Sequence, residues 1–276
     1  MTHAPTGDWN ATSYDKVADP QTRWGAEVLE RLPLQGDETV LDAGCGTGRV
    51  TELLLAKLPR GRVIALDFSA AMLEQARGRL ARFGDQVTYV QADLGQPLPL
   101  TEKVDAILST ATFHWVPDHD AMFANLAAML RPGGQLVAQC GGFGNIARFL
   151  DAARSVDPNF ARTHNFQPAD ATTARLEGSG FDDIQTWLSE APTYFEPGAP
   201  FEAFLETVCL RTYIDGLPPE DRSPFIKAVA ARLPEPMLDY VRLNIVARRA
   251  ATPEEPGLPE LHVVPLDSPA WGWRDG

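Results

Sequence analysis

Asp42-Ala43-Gly44-Cys45-Gly46-Thr47-Gly48 places three glycines between two segments of different periodicity. A β-branched run at 39–42 leads into it, and a segment of helical spacing follows, with Val50, Leu53, Leu54 and Leu58 on one face. A strand that turns through glycines into a helix is the opening of a βα unit. Glycine tolerates positive backbone dihedrals and lets a ligand lie directly against the main chain, where any Cβ would collide.

Outward from the loop the same alternation repeats. Strands are predicted at 39–42, 62–67, 86–91, 104–109 and 135–140, and Leu73, Ala76 and Leu80 mark a second helix face, with Met72 read as core. The segments 59–61 and 132–134 each join a helix stop to a turn, so the Pro-Gly-Gly at 132–134 needs no ligand to explain it. This pattern predicts an α/β, Rossmann-like doubly wound sheet flanked by helices. Beyond Gly142 helices are expected at 145–156 and 168–178, then a strand at 183–190. A helical insertion follows at 201–233, broken at 216–221 by two prolines and a glycine, and a last strand is expected at 241–248. The tail at 251–276, rich in Pro and Glu, is expected to be flexible.

The 276 residues suit one large domain with an insertion. With 44% apolar and 22% charged residues the chain is neither disordered nor fibrous. Its net charge of -13, from 24 Lys+Arg against 37 Asp+Glu, would repel phosphate backbones and argues against nucleic acid as a partner. The N-terminus lacks the pattern of a secretory signal, and no apolar run approaches the roughly 20 residues a bilayer requires, so a cytoplasmic protein without a membrane partner is expected. Cys45, Cys140 and Cys209 are scattered, which predicts reduced thiols, no disulfide and no metal site.

Two ligand classes compete at the loop. A dinucleotide fingerprint starting at Gly44 needs glycine at position 49, where this chain has Arg49. Asp42 would repel a pyrophosphate and welcome a cationic amino acid. Asp67, at the end of the second strand, is placed to accept hydrogen bonds from ribose hydroxyls, and Ser69 is the better N-cap for the helix after it. S-adenosylmethionine, with a sulfonium, an ammonium and no phosphate, answers this description.

Four separated pieces carry a family resemblance: Leu-Asp-Ala-Gly-Cys-Gly-Thr-Gly at 41–48, Ala-Leu-Asp-Phe-Ser at 65–69 with Met-Leu at 72–73, Gln-Ala-Asp-Leu at 91–94, and Leu-Arg-Pro-Gly-Gly at 130–134. Over about residues 38–141 the chain resembles the class I S-adenosylmethionine-dependent methyltransferases. The resemblance implies that Gly44 and Gly46 face the methionine part, Asp67 holds the ribose and Phe68 packs on adenine. It further implies that Asp93 and Leu94 reach the adenine edge and that carbonyls at 109–111, Thr110 among them, help hold the ammonium. Phe-His-Trp-Val at 113–116, Trp9-Asn10 with Tyr14, and Leu-Arg-Thr-Tyr-Ile at 210–214 resemble the trans-aconitate methyltransferases and their small-molecule relatives. Lid helices at 1–35, a methyltransferase domain at 36–250 and a cap at about 195–235 follow from that resemblance.

The expected reaction is methyl transfer to a small molecule, with a carboxylate favoured as acceptor. A carboxylate attacks in its ionised form, so Arg211 and Tyr213 of the insertion, with Tyr14 and Trp115, are the candidate acceptor contacts. A phenol or amine would need a base, for which His114 is the candidate. A nicotinamide oxidoreductase, or a methyltransferase-like binding protein without turnover, are the alternatives.

Overall fold

A computed structural model describes residues 19–161 and 164–251. The candidate contact Tyr14, most of the expected lid and nearly all of the tail lie outside the described residues. The strands are β1 (Thr39–Ala43), β2 (Arg62–Asp67), β3 (Val87–Gln91), β4 (Val104–Thr110), β5 (Leu130–Gly141), β6 (Phe181–Glu190), β7 (Thr193–Tyr194), β8 (Met237–Leu238) and β9 (Val241–Arg249). The helices are α1 (Asp19–Leu29), α2 (Arg49–Ala56), α3 (Ala70–Leu80), α4 (His119–Met129), α5 (Ala147–Val156), α6 (Ala169–Gly178), α7 (Ala199–Phe204), α8 (Arg211–Ile214) and α9 (Pro219–Ala230).

Seven strands form one sheet in the order β3-β2-β1-β4-β5-β9-β6, with β9 antiparallel to both of its neighbours and the first five parallel. Successive residues of β1 explain the layers. Leu41 faces a core with Ile64, Ile107 and, from α4, Phe123 and Leu126. Val40 faces the opposite core, with Val63, Leu54 of α2 and Leu73 of α3. A period of two sends alternate side chains to two helical layers, which is why these strands are apolar throughout rather than alternating. Because β1 lies between β2 and β4, the connections leave it in opposite directions and open a crevice at the carboxyl ends of the strands.

A third core covers that crevice. Phe149 and Leu150 of α5, Phe201 and Phe204 of α7, and Val229 of α9 cluster with Trp24 of α1. Phe149 is fully buried there, and truncating such a ring to alanine costs about 3–5 kcal/mol. The β7–β8 ribbon, pairing Thr193 with Leu238, closes the base of this cap.

Two local expectations are corrected. The strand expected at 135–140 begins at Leu130, and Pro132–Gly134 lies inside it as a bulge: Val104 pairs with Leu130, Ala106 with Gln135, and Gly133 takes φ +77°. α4 still stops at Met129, so the helix stop and the strand start are adjacent. The insertion, expected as two helices, is cut into more pieces. A π-helical turn at Leu205–Cys209, closed by the Leu210 N–H donating to the Leu205 carbonyl at 2.8 Å, separates α7 from α8. An i to i+5 bond of this kind leaves no mark on apolar periodicity.

Candidate active site

The loop after β1 is held down by the neighbouring strand. Gly44 and Cys45 both donate their N–H to the Leu66 carbonyl of β2, at 2.8 and 2.9 Å. Gly44, Gly46 and Gly48 take φ +88°, +54° and +81°. Two of these glycines have different reasons. At Gly44 a Cβ would stand 2.1 Å from Thr112 Oγ1, so the position is closed by protein. At Gly46 a Cβ would meet no atom of the described residues within 4 Å beyond its chain neighbours, and the residue lines the central cavity.

Asp67 ends β2 on the cavity wall. Its carboxylate accepts from the Gly46 N–H at 2.8 Å and the Ser69 N–H at 2.9 Å, which ties the glycine loop to the next strand. Ser69 is the N-cap of α3, as expected, accepting from the Met72 N–H at 3.1 Å. Beside Asp67 the ring of Phe68 is 53% exposed on the cavity rim, an unusual cost for an aromatic side chain unless something covers it. Beyond β3, Asp93 and Leu94 complete this end, with Asp93 Oδ1 accepting from Gly95 N–H at 2.8 Å. Met72 is both core and wall.

Asp42 is displaced from its expected place. It lies beneath the loop, 1% exposed and absent from the cavity wall, with one oxygen accepting from Thr51 Oγ1 at 2.7 Å and the other unbonded. Burial, with a contribution from Asp67, pushes its carboxyl up to about 7.

At the end of β4, Thr110, Ala111 and Thr112 form the next wall, with Ala111 at φ +55°. Ser109 is buried behind them, donating to the Ala43 carbonyl at 2.6 Å. His114, Trp115, His164 and Phe166 make an aromatic wall. His164 stacks on Phe166 with centroids 5.1 Å apart and lies 4.2 Å from the Trp115 ring. The His114 Nδ1 accepts the Gly141 N–H at 3.3 Å. The proton of the neutral ring, assigned from this bond, is therefore on Nε2. Burial and the nearby His164, Arg242 and His119 hold the imidazole well below its usual range. In that tautomer the ring carries its donor on Nε2, and the residue lies on the cavity wall.

Two cap residues expected on the acceptor are turned elsewhere. Arg211 Nε is paired with Asp215 at 2.7 Å, and the Tyr213 hydroxyl donates to Asp157 while its ring packs on Phe160 and Phe225. Neither lines the cavity. The cap contributes Val208 and Cys209 instead, and Arg242 of β9 brings the cation that sequence reasoning missed. It is 4% exposed, and its guanidinium lies 4.5 Å from the Trp24 ring centroid. Burial pushes the Cys140 and Cys209 thiols up to about 12, so neither is a nucleophile near neutrality. Among the described residues no cluster of His, Cys, Asp and Glu could hold a metal, and no helix is long and apolar enough to cross a membrane.

Comparison with known proteins agrees with this geometry. Residues 40–134 match a family model described as a methyltransferase domain. The trans-aconitate 2-methyltransferase of Methylobacterium nodulans is 32% identical over 263 residues, covering 88% of this chain and 98% of that relative. That of Paracidovorax citrulli is 32% identical over 267 residues, covering 88% and 99%. Among solved structures, the YcgJ protein of Bacillus subtilis superposes with a TM-score of 0.62 at 16% identity, covering 83% of this chain and 99% of that one. Phosphoethanolamine N-methyltransferase 2 of Haemonchus contortus, in complex with S-adenosyl-L-methionine, gives 0.61 at 17% identity, covering 88% and 57%. These two share the fold.

Proposed function

The chain belongs to the class I S-adenosylmethionine-dependent methyltransferases, in the group of the trans-aconitate 2-methyltransferases, and from that premise we propose that it esterifies a small carboxylate. One observation supports the acceptor class: the charge on the cavity wall is divided. Asp67 and Asp93 stand at the β2–β3 end, while Arg242, the single Lys or Arg among the described lining residues, stands on β9. In sheet order β2 and β9 are four strand spacings apart, roughly 19 Å. A cationic donor suits one end and an anionic acceptor the other.

The residues present fit S-adenosylmethionine. Bare backbone at Gly46 accepts close approach, Asp67 offers carboxylate oxygens to ribose hydroxyls, and the exposed Phe68 ring offers a face to adenine. Gly44 shapes the same turn, Asp93 and Leu94 would border the adenine edge, and the carbonyls at Thr110 and Ala111 would face the ammonium. When bound, this donor supplies a methyl group on positively charged sulfur, whose transfer to a carboxylate oxygen forms one C–O bond, returns the C–S electron pair to sulfur and releases no proton. No base is needed, in keeping with a neutral His114 whose Nδ1 lone pair is engaged. Its work is to wall the cavity with Trp115 and Phe166, excluding water that would solvate the attacking carboxylate. The nicotinamide alternative is not favoured, since Arg49 opens α2 where the dinucleotide pattern needs glycine. Scattered buried thiols suit the reducing cytoplasm, a placement that cell fractionation would check.

Methyl-labelled S-adenosylmethionine offered with panels of carboxylates, trans-aconitate included, phenols and amines tests the reading. A labelled ester that mild alkali hydrolyses is expected. Labelling of phenols or amines and of no carboxylate would overturn it.

A further inference from the structure

We infer that Asn165 is a positioning residue for methyl transfer: it ties the turn at 114–117 to the segment carrying His164 and Phe166, and so sets the spacing of the aromatic wall of the cavity. The inference rests on methyl transfer in this cavity and not on the class of acceptor.

The turn between β4 and α4 has little to fix it from within. The Trp115 N–H donates to the Thr112 carbonyl at 2.9 Å and the Val116 N–H to the Phe113 carbonyl at 3.0 Å, which makes one short 3-10 turn. Yet His114, Trp115, Val116 and Pro117 all line the cavity. Three of their carbonyls go to one residue. The Asn165 N–H donates to the His114 carbonyl at 2.7 Å, and its Nδ2 donates to the Val116 carbonyl at 3.2 Å and the Pro117 carbonyl at 2.9 Å. Asn165 does not line the cavity, whereas His164 and Phe166 on either side of it do. A single residue thus joins two pieces of the wall that lie far apart in sequence.

The amide is held this way round by a chain of donors. Arg175 of α6 offers only N–H groups, and its Nη1 donates to Gln167 Oε1 at 3.0 Å. Gln167 Nε2 is left to donate to Asn165 Oδ1, and Asn165 Nδ2 to donate to the turn. A guanidinium outside the cavity therefore fixes, through two amides, the polarity of a contact on its wall. Asp120 of α4 steadies that guanidinium from 3.4 Å, and the Gln167 carbonyl accepts the Phe143 N–H at 3.0 Å, just beyond β5. His114 is then held twice, at its carbonyl by Asn165 and at Nδ1 by the Gly141 N–H. An in-line displacement needs donor and acceptor confined to one alignment, and a misplacement of about 1 Å can cost about 10²-fold in rate.

Asn165→Asp, Asn165→Ala, Arg175→Met and Arg175→Lys would be compared with wild type. The acceptor probe is trans-aconitate or, if wild type does not methylate it, the compound of the carboxylate, phenol and amine panel that it labels fastest. Turnover would be counted per S-adenosylhomocysteine-binding site, measured by calorimetry, so that loss of folded protein does not read as loss of rate. Asn165→Asp, which sets a carboxylate against two carbonyls, and Asn165→Ala are expected to lower kcat about tenfold, with S-adenosylhomocysteine affinity within about twofold of wild type. Arg175→Met should lower kcat about threefold, and Arg175→Lys, which keeps a donor for Gln167, should restore it. Hydrogen exchange, read by mass spectrometry, should quicken at the amides of 112–117 in the variants that lose rate. Wild-type kcat per site in both Asn165 variants, or unchanged exchange at 112–117 in Asn165→Asp, would overturn the inference. Should neither Asn165 variant fold by circular dichroism, the Arg175 pair decides, and equal turnover per site in Met and Lys would overturn it. A wild type that labels phenols or amines and no carboxylate would overturn the carboxylate reading alone, and the same variants would then be read on the compound it labels.

Discussion

Replacing Gly46 by alanine separates the folding of the glycine loop from its use. The residue has φ +54°, a left-handed conformation that costs an L-residue about 1–2 kcal/mol. Beyond its chain neighbours, no atom of the described residues lies within 4 Å of the added methyl, so strain dominates the folding penalty. For a chain of this size that lowers the thermal midpoint by about 2–8 °C. The methyl projects where the donor is proposed to lie, and forcing a methyl into a filled space costs about 1–3 kcal/mol, roughly 5- to 150-fold in affinity. Gly44→Ala is the contrast, because its methyl would stand 2.1 Å from Thr112 Oγ1 and 2.6 Å from Thr112 Cβ. That variant should lose markedly more stability, and Thr112→Gly should recover part of it. Differential scanning fluorimetry and calorimetric titration with S-adenosylhomocysteine read the two quantities apart. A folded Gly46→Ala protein that binds with wild-type affinity would refute the placement of the donor against this backbone. One destabilised as much as Gly44→Ala would refute the open space.

Asp67→Ala should weaken S-adenosylhomocysteine binding by about 1–3 kcal/mol through lost ribose hydrogen bonds, and unchanged affinity in the calorimeter would remove Asp67 from the site. His114→Gln should lower kcat on a carboxylate by about tenfold or less, because loss of a true base costs about 10²- to 10⁴-fold. Wild-type kcat/KM should accordingly show no acid limb near pH 6.5, since the imidazole stays neutral there. Asp42 makes stability depend on pH. Burial raises its folded value to about 7, above the ordinary 3.8, so between those values the folded state keeps a proton that the unfolded chain has released. Stability from this group is full below about pH 4 and declines as pH rises toward 7. The midpoint of Asp42→Asn, measured against wild type from pH 4 to 8, should move in the variant's favour as pH rises, and parallel curves would contradict the assignment.

The parts of the site that local sequence carries were legible. Gly44, Gly46, Asp67, Phe68, Asp93 and Leu94 all occupy strand ends or the loops beyond them, where an α/β sheet gathers its ligands whatever the details of packing. Arg242 was not legible for a definite reason. In Val241-Arg242-Leu243-Asn244 the polar positions alternate with apolar ones and read as a solvent face, yet both are buried because α1 lays Trp24 over that side of the sheet. The remaining signal is tertiary, the facing of Gln139 and Asn244 across an antiparallel pair whose register the sequence does not state. The opposite error, at Arg211, was avoidable. Asp215 stands four residues on, the spacing of a helical ion pair, and takes the guanidinium. The loop holding His164 lies far from Trp115 in sequence, and only the folded chain shows that their rings meet.

The distribution of charge bears on rate as well as on binding. A sulfonium and a carboxylate react to give a neutral sulfide and a neutral ester, so charge is consumed on the way to the transition state. A fixed counter-charge beside either reacting atom would stabilise the reactants more than the transition state and raise the barrier. The cavity keeps its fixed charges at the ends, Asp67 and Asp93 against Arg242, and lines the interval with Thr110, Trp115, Phe166 and a neutral His114. Engagement of its Nδ1 by the Gly141 N–H and the proximity of Arg242 both oppose a second cation in that interval. The guanidinium beside it thus helps keep the imidazole uncharged, leaving the two reacting charges to cancel each other.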